Sequence, residues 1–286
     1  MTLAGSCRLM GISRQAIYQQ EKRHRQRREA LEPVLVMVQE VRRYLPRVGT
    51  RKLYYLLKPR FEEAGIKLGR DGLFEYLRQH RLLIQPRRCY TKTTFSKHWM
   101  KKYPNLLKDR EITGPEQAFV SDITYVESEE GVHYLSLVTD AGSRKIMGHE
   151  LSREMKASDV VKALQRAVRQ RCSDQPLIHH SDRGLQYCSQ TYQAELKDHG
   201  IEASMTDGYD CYQNALAERV NGILKQEFLI YRCPTFEDMK TLVAESIGAY
   251  NYLRPHLSLG MKTPEEVHKK TSCEMQLASL KPVNVF

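Results

Sequence analysis

Three acidic residues of this sequence stand where a carboxylate is unusual and where it could do chemistry. Asp122 interrupts the apolar stretch "FVSDITY", and a charge there weakens a half-buried strand. Asp182 directly follows the run "LIHH", at a strand end, where the ligand sites of α/β proteins concentrate. Glu218 stands among Ala and Val residues in the helical stretch "NALAERVNG". Because an unpaired buried carboxylate is costly, each of the three needs a partner.

A divalent cation shared by the three carboxylates would be such a partner. Hard oxygen ligands suit Mg²⁺, and Mn²⁺ accepts the same donors. Two such ions held about 4 Å apart activate the attacking oxygen and stabilise the leaving oxygen in phosphoryl transfer. Any one of these residues alone could instead cap a helix, pair with a base or be exposed. Together, Asp122, Asp182 and Glu218 predict an oxygen-rich metal site suited to phosphoryl transfer.

Two histidines beside Asp182, in "LIHHSDRGLQY", offer an alternative set of metal ligands. Magnesium prefers oxygen to histidine nitrogen, and successive residues of a strand point to opposite faces. At most one of His179 and His180 therefore faces the site. We expect one histidine to pack inside and the other, with His180 as the supporting candidate, to orient Asp182 or contact phosphate. The following Arg183 and Gly184 predict a turn that lets a DNA backbone come close.

The predicted helix that carries Glu218 begins near Asn214, which is expected to precede or cap it. Arg219, next to the glutamate, could reach a DNA phosphate or could simply be solvated. Further along, "YNYLRPHLSL" predicts a helix end followed by a turn that proline fixes. Arg254 and His256 in this stretch are candidates to approach DNA.

The elements around these residues predict an α/β architecture, a mixed sheet covered by helices. The period-two stretches "QAFVSDITYVE", "VHYLSLVTDA" and "KIMGHELS" predict three successive strands. The amphipathic helix "KASDVVKALQRAVRQRC" follows, with Val160, Leu164 and Val168 on one face. Next come the strand "PLIHHSD", a helix ended by Gly200, the strand "IEASM" and the helices "NALAERVNGILKQEFL" and "FEDMKTLVAESIGAYNYL". Three strands before the first helix favour a mixed sheet over a strict βαβ alternation.

The charge of the chain is divided unevenly along its 286 residues. Residues 1–103 hold 24 Lys and Arg against 8 Asp and Glu, a net charge of +16. Residues 104–286 hold 21 against 26, a net charge of −5. A basic first third on a slightly acidic body indicates a module that binds a polyanion, although solvated basic helices would give the same count.

The start of the basic third, residues 3–20, has the pattern of a helix-turn-helix. Apolar side chains recur at Leu9, Ile12 and Ile17, Gly11 separates two short helical stretches, and Ser13 stands at an N-cap position. The second helix would present its first polar side chains outward to DNA. An ordinary helical hairpin is the alternative.

A second small helical unit is predicted after a polar basic stretch, residues 21–29, and a helix from Leu31 to Pro46. Two helices lie on either side of the turn "AGIKLGRD", and they resemble another helical DNA-binding unit with a basic surface. The residues that we expect to contact DNA are Ser13, Arg14, Gln15, Arg23, Arg27, Arg70, Arg78, Arg87, Arg88, Arg183 and Arg219.

These patterns predict five segments. Residues 1–30 form a helix-turn-helix-like segment with a basic helix, and residues 31–90 form the second helical DNA-binding domain. Residues 91–112 are a basic linker, 113–235 the catalytic core, and 236–286 the C-terminal helices and tail.

Other classes of protein are disfavoured by what the sequence lacks. It has no apolar run of the roughly 20 residues that cross a bilayer, and no secretory signal, so membrane insertion and export are not expected. The seven cysteines are scattered without a CxxC pair, which favours a reduced cytoplasm over a zinc ribbon or a disulfide framework.

Four stretches, "DITYV", "HHSDRGLQY", "NALAERVNGILKQEF" and "YNYLRPHLSL", resemble in order and spacing the retroviral-integrase-like DDE transposases. The resemblance is strongest to the catalytic reading frame, OrfB, of the IS-three family of bacterial insertion sequences. The 35 residues between Asp182 and Glu218 match the spacing of that family's D,D-35-E triad. The resemblance therefore implies that Asp122, Asp182 and Glu218 are the catalytic and metal-binding residues.

The same resemblance implies an RNase H-like fold, which agrees with the strand–strand–strand–helix order, and two Mg²⁺ (or Mn²⁺) ions per active site. The implied activity is strand cleavage by water, which frees a 3′-OH, followed by strand transfer in which that hydroxyl attacks another phosphodiester. Implied partners are double-stranded transposon-end DNA, target DNA, further copies in a homo-oligomer, and an upstream OrfA product or fusion. The implied location is cytoplasmic and nucleoid-associated.

One position departs from the family pattern, and two other classes of function stay open. Gln213 in "CYQNALAE" stands where many members carry an aspartate that is not part of the triad. A non-catalytic helix-turn-helix regulator would be expected to lack a triad carboxylate, and none is missing. An RNase H-like nuclease that only hydrolyses has less need of the long basic N-terminal region, which favours recognition of specific ends.

Overall fold

A computed structural model describes residues 7, 9–85, 100–108, 110–207 and 214–269 of the chain. The chain divides into an N-terminal unit, Met1–Ile84, and a C-terminal unit, Gln85–Phe286. Arg87, Arg88 and Gln213 lie outside the described residues. The finer division into five segments stays a prediction.

Where the structure describes the N-terminal unit, it contains three helices of at least ten residues, α1 (Arg14–Tyr44), α2 (Thr50–Glu63) and α3 (Arg70–Gln79). Helices α2 and α3 pack on each other, and their apolar stripes form the centre of the unit. The two predicted helices are confirmed, and their fully buried side chains include Leu53, Leu57, Leu73 and Leu77.

Helix α1 differs from the prediction. Its start is as expected, since Ser13 caps it by accepting a 3.1 Å hydrogen bond from the amide of Ala16. The expected second helix start at Leu31 is wrong, because one helix runs without interruption to Tyr44. The polar stretch 21–29 is rich in Glu, Lys, Arg and Gln, which are strong helix formers, and it contains neither Gly nor Pro, so the helix continues through it.

The apolar residues expected to form the core of the first helix-turn-helix do not do so. Leu9 is 73% exposed and Ile12 is 44% exposed, although Gly11 between them has the positive φ of a turn. Among the described residues of the segment 3–20, Cys7 is buried and Ile17 is half-buried, and the helix-turn-helix assignment stays a prediction.

The C-terminal unit contains a five-stranded mixed sheet, as predicted. Its strands are β1 (Ala118–Ser128), β2 (Gly131–Asp140), β3 (Ile146–Ser152), β4 (Leu177–Ser181) and β5 (Ile201–Met205). Their spatial order is β3-β2-β1-β4-β5. The first three form an antiparallel meander, whereas β4 and β5 run parallel to β1.

Helices cover both faces of this sheet. They are α4 (Ala157–Arg169), α5 (Leu185–Cys188), α6 (Gln190–Asp198), α7 (Ala215–Ile223) and α8 (Phe236–Tyr252). Helix α7 continues directly into a π-helical turn, Leu224–Phe228, and a 3₁₀ turn, Leu257–Leu259, follows α8. A last helix starts at Pro264, where the Thr263 hydroxyl accepts from the amide of Glu266. No helix in the described ranges is long and apolar enough to cross a membrane.

The period-two alternation of β1 decides which helix meets which side chain. Phe119 and Ile123 pack in the large core formed with α4 and α6. Ala118 and Val120 point to the other face and pack against Ala217 of α7. Asp122 has the parity of Ala118 and Val120, so it lies on the α7 side of the sheet.

Candidate active site

Asp122 is half-buried in the middle of β1, where it pairs in register with Leu137 of β2. Its Oδ1 accepts a 2.9 Å hydrogen bond from the amide of Ile123, and its Oδ2 accepts one of 2.8 Å from Asn221 Nδ2. These two bonds lower the pKa of Asp122, but burial and the nearby charge of Asp182 outweigh them and raise it to about 7.

Asp182 stands one residue beyond β4, as the sequence predicts. The parallel pairing of β1 with β4 aligns Val120 with His180, and continuing this register brings Asp122 level with Asp182. The Asp182 Oδ1 accepts a 3.0 Å hydrogen bond from the amide of Gly184. A Cβ at Gly184 would stand 3.0 Å from the same oxygen, so the glycine leaves the carboxylate room.

Glu218 lies in the first turn of α7 with its side chain exposed. Burial of its carboxyl raises its pKa, and the charge of Asp182 raises it further. Glu218 also contributes to the raised pKa of Asp122. The three predicted carboxylates are thus brought near enough for each to disfavour the ionised form of another.

The donor set fits a hard divalent cation. It consists of carboxylate oxygens whose mutual repulsion a positive ion would relieve. The triad is nevertheless open: among the described residues, the three ligand atoms that all lie within 4.8 Å of one another belong to Glu116, Cys172 and His268 instead.

Asn221 is a member of the site that was not predicted. It is buried on α7, three residues after Glu218, and its amide reaches Asp122 on the neighbouring strand. Residues three apart share a face of a helix, so this position could have been selected once Glu218 was placed. Its Oδ1 is buried and has no hydrogen-bond partner among the described atoms.

The two histidines point to opposite faces of β4, as predicted, and both are buried, at 1% and 0% exposure. His179 Nε2 lies 2.7 Å from Ser121 Oγ and 2.8 Å from the hydroxyl of Tyr192, in the core against α6. His180 Nδ1 lies 2.8 Å from Ser204 Oγ on β5. His179 thus packs inside the core, and the expectation that His180 orients Asp182 or contacts phosphate stays a prediction.

Asn214 occupies the N-cap position of α7, as expected, although its side chain makes no capping hydrogen bond. Its Nδ2 instead donates a 3.1 Å hydrogen bond to the carbonyl of Ser121. Asn214 thereby attaches the start of α7 to β1, one residue before Asp122. Arg183 beside Asp182 is half-buried, and Arg219 beside Glu218 is exposed.

Arg254 and His256 are not available to approach DNA, because they are 3% and 6% exposed. The guanidinium of Arg254 binds the carboxylate of Glu227 instead. In the sequence alone, the polar residues of this stretch indicate a surface loop. The pairing of Arg254 with Glu227, 27 positions away, explains why the arginine can be buried.

The DNA-contact candidates of the N-terminal unit lie at its surface. Arg70 pairs with Asp71 and Arg78 pairs with Glu75, and exposed pairs of this kind are weak and exchangeable. The remaining described candidates are exposed on the first half of α1: Arg14, Gln15, Arg23 and Arg27. Their contact with DNA stays a prediction.

The compact group around Glu116 is a structural network rather than a second catalytic centre. Glu116 accepts hydrogen bonds from the amides of Cys172 at 2.7 Å and Ser173 at 2.9 Å, and from the Ser173 hydroxyl at 2.9 Å. It also lies 3.2 Å from His268 Nε2, and His268 Nδ1 lies 3.7 Å from Asp140. With its oxygens taken by these donors, Glu116 ties the last helix to the sheet without needing a metal ion.

The sequence of this chain is similar to those of known proteins. Two models described as "Integrase core domain" match residues 113–211 and 199–264. The "Insertion element IS600 uncharacterized 31 kDa protein" of Shigella sonnei is 33% identical over 270 residues, covering 92% of this chain and 97% of that protein. "Transposase InsF for insertion sequence IS3A" of Escherichia coli K12 is 36% identical over 201 residues, which is 68% of each chain.

Among solved structures, a chain of the simian T-cell lymphotropic virus intasome in complex with PP2A regulatory subunit B56 gamma is 19% identical, with a TM-score of 0.49. The alignment covers 77% of this chain and 70% of that chain.

The strand order and the integrase core models define an enzyme of the DDE transposase and integrase class, with an RNase H-like catalytic core. Within that class, the 33% and 36% identity to the IS600 protein and the IS3A transposase decide the family. The chain belongs to the IS3 family of insertion-sequence transposases.

Proposed function

We propose that this transposase binds the ends of its own insertion sequence and catalyses Mg²⁺-dependent strand cleavage and strand transfer at a two-metal site. The observation that carries the proposal is the meeting of Asp122, Asp182 and Glu218 on one side of the sheet, where burial and mutual repulsion raise the pKa of Asp122 to about 7. Such repulsion is tolerated where a bound cation offsets it in the working state.

In this proposal Asp122, Asp182 and Glu218 hold the cations, and Mn²⁺ could replace Mg²⁺. Bound ions of this kind activate the attacking oxygen and stabilise the leaving oxygen of the phosphodiester. Asn221 orients Asp122 through its 2.8 Å bond, and Gly184 both fixes Asp182 and lets a DNA backbone approach. Asn214 and the strand pairing keep α7 in place against β1.

Two phosphoryl transfers at the same carboxylates account for the reaction. In the first, a water oxygen attacks the phosphodiester at the transposon end, and the 3′ oxygen leaves as a free hydroxyl. In the second, that 3′-OH attacks a phosphodiester of the target DNA, so the transposon strand is joined to the target 5′ phosphate and the 3′ oxygen of the target leaves as a free hydroxyl. Both transfers exchange one phosphodiester oxygen for another, without a covalent protein intermediate.

The partners that we propose follow from the chemistry and the charge. Double-stranded transposon-end DNA binds the basic N-terminal unit, and target DNA enters at the carboxylates. Two ends must be held together, so we propose that the chain works as a homo-oligomer. We also propose that an upstream OrfA product is a partner, either as a separate protein or as a fusion. The location that we propose is the nucleoid in the cytoplasm.

The test compares Asp182→Asn and Glu218→Gln with wild-type protein, on a duplex that carries the terminal sequence of the insertion sequence encoding this chain. Both variants should lose 3′-end processing and strand joining in Mg²⁺ but retain binding to the duplex. Glu202→Gln, an exposed carboxylate on β5, is the matched control and should keep both reactions. Joining at the wild-type rate by either triad variant would contradict the mechanism. Cleavage without joining by the wild-type protein would favour the hydrolytic nuclease.

A further inference from the structure

The stretch after α8 holds a buried arginine whose partner belongs to the catalytic helix. Arg254 Nε donates to Glu227 Oε2 at 2.8 Å, and its terminal NH2 group donates to Glu227 Oε1 at 2.6 Å. This is a bidentate pair, in which the planar guanidinium fixes the carboxylate in orientation as well as in distance. The Arg254 side chain is 3% exposed and that of Glu227 is 19% exposed.

A third contact holds the arginine from the other side. The remaining terminal nitrogen, NH1, lies 3.1 Å from Nε2 of His256. A guanidinium can only donate, so His256 Nε2 accepts and its ring is neutral. The His256 ring in turn meets Tyr250 edge-on at 4.9 Å, and the Tyr250 hydroxyl donates to the carbonyl of Arg144. Arg254 is thereby attached to the body of the catalytic unit.

Glu227 lies in the π-helical turn Leu224–Phe228, which continues α7 without a break. The turn is closed by a 2.8 Å bond from the amide of Leu229 to the carbonyl of Leu224. A π turn widens the helix and changes the direction of the residues on either side of it. The pairing of Glu227 therefore bears on the rotation of the whole helical segment that carries Glu218.

Helix α7 is also attached toward its N-terminal end and middle. Asn214 bonds to Ser121, Ala217 packs on the sheet, and Asn221 bonds to Asp122. These contacts place the helix against β1. At its far end, where Leu224 and Phe228 are buried, the pair of Glu227 with Arg254 adds a directional polar attachment. Because Glu218 itself is exposed, the position of its carboxylate depends on how firmly the helix is held.

We infer that Glu227, Arg254 and His256 form a clamp on the far end of α7, and that Arg254 is a positioning residue for Glu218 rather than a contact to DNA. The inference rests on the proposed role of Glu218 as a metal-binding carboxylate. Loss of the clamp lets α7 rotate, so the Glu218 carboxylate is displaced from Asp122 and Asp182 and the cation is held less tightly.

The test uses full-length Arg254→Gln and measures the rate of strand joining as a function of Mg²⁺ concentration. The Mg²⁺ concentration for half-maximal rate should rise by about tenfold, the size of effect seen when groups that orient metal ligands are lost. Glu227→Gln should give a shift of the same size. The double variant should be no worse than either single one, because the two residues act as one unit.

A matched control separates positioning from loss of stability. Lys145 and Glu265 form another buried pair, with Lys145 Nζ 2.7 Å from Glu265 Oε2 and the side chains 9% and 10% exposed. Lys145→Gln should lower the melting temperature as Arg254→Gln does, yet leave the Mg²⁺ dependence unchanged. An equal Mg²⁺ shift in both variants, or in neither, would reduce the clamp to a stability element and overturn the inference.

Binding to the end duplex tests whether Arg254 contacts DNA. Arg254→Gln should bind the duplex like wild-type protein, with the same dependence on salt concentration. A weaker affinity with a salt slope reduced by about one would show a lost phosphate contact and overturn the inference.

Arg254→Lys is the substitute variant if Arg254→Gln does not fold. It keeps the charge but not the bidentate geometry, and an unchanged Mg²⁺ dependence would count against the clamp. Failure of the catalytic proposal is separate, since it would appear as activity in Glu218→Gln.

Discussion

Asn221 Nδ2 lies 2.8 Å from Asp122 Oδ2 and joins the catalytic helix to the central strand across 99 positions of sequence. The amide lowers the pKa of a carboxyl that burial and Asp182 raise to about 7. It therefore keeps Asp122 closer to the ionised form that a cation requires. Asn221 thus affects both the orientation and the protonation of Asp122.

Replacing Asn221 with Ala removes that donor, so the pKa of Asp122 should rise further and protons should compete better with Mg²⁺. We expect the Mg²⁺ concentration for half-maximal strand joining to increase by about tenfold, and by more at about pH 6 than at about pH 8. Asn251→Ala is the matched control, because both asparagines are 5% exposed and the Asn251 amide bonds to the backbone of Ile146, away from the triad. Equal Mg²⁺ dependence in the two variants would refute the role of Asn221.

Much of the catalytic unit could be predicted from local patterns. The five strands and helix α4 have strong period-two or helical periodicity, and the strand parity that places Asp122 beside α7 follows from the same alternation. The triad could be selected because Asp122 and Glu218 are charges within apolar runs and Asp182 ends a strand. The family resemblance then grouped the three into one triad, because the 35 residues between Asp182 and Glu218 match the family spacing.

The features that could not be predicted depend on contacts between distant residues. The bond of Arg254 to Glu227 spans 27 positions, and nothing in "YNYLRPHLSL" distinguishes a buried arginine from an exposed one. The continuous helix α1 was missed for a different reason. A change from polar to apolar composition near Leu31 was interpreted as a boundary, although the chain has no helix breaker there between residues 21 and 30.

The network around His268 predicts a dependence of stability on pH. Hydrogen bonds and charges of Asp140 and Glu116 raise the pKa of His268 above its usual 6.5, against the effects of burial and of Lys145. A raised pKa in the folded protein gives stability that is complete below about 6.5 and is lost as the pH rises through the folded value. The melting temperature should therefore fall from about pH 6 to about pH 9. Below about pH 7 the raised pKa of Asp122 adds to this slope, so the His268 effect is measured above that pH. His268→Gln should reduce the slope there, and an unchanged slope would rule out His268 as a source.

The same network sets the acidic limit. The four hydrogen bonds that Glu116 receives outweigh its burial and lower its pKa below the usual 4.5. A lowered pKa in the folded protein gives stability that is present above about 4.5 and is lost as the pH falls through the folded value. Glu116→Gln should flatten the fall in melting temperature below about pH 4.5, whereas Glu202→Gln at the surface should leave it as in wild-type protein. No difference between these variants would exclude Glu116 as the group responsible.

Gly148 of β3 is required by the close approach of α4. A Cβ at this position would stand 2.1 Å from the carbonyl oxygen of Ala163 and 2.7 Å from the amide nitrogen of Ala167, both in the helix backbone. Gly148→Ala should lower the free energy of unfolding by about 3 kcal/mol or more, since neither backbone atom can move alone. Gly248→Ala on α8, where a Cβ meets nothing within 4 Å, should instead raise it by about 1 kcal/mol. Denaturant unfolding of the two variants measures both, and similar losses in each would contradict the packing argument.

Mutual repulsion in the triad predicts that a variant without activity is more stable than the wild-type protein when no cation is present. In chelator, Asp182→Asn removes the charge that raises the pKa of both Asp122 and Glu218, while an amide oxygen can still accept from Gly184. The melting temperature should rise by about 2 °C or more. Added Mg²⁺ should raise the melting temperature of the wild-type protein, because it binds the folded state, and should have little effect on Asp182→Asn. If Mg²⁺ raised both melting temperatures equally, the ion would be binding elsewhere, and the carboxylates could not be the metal site.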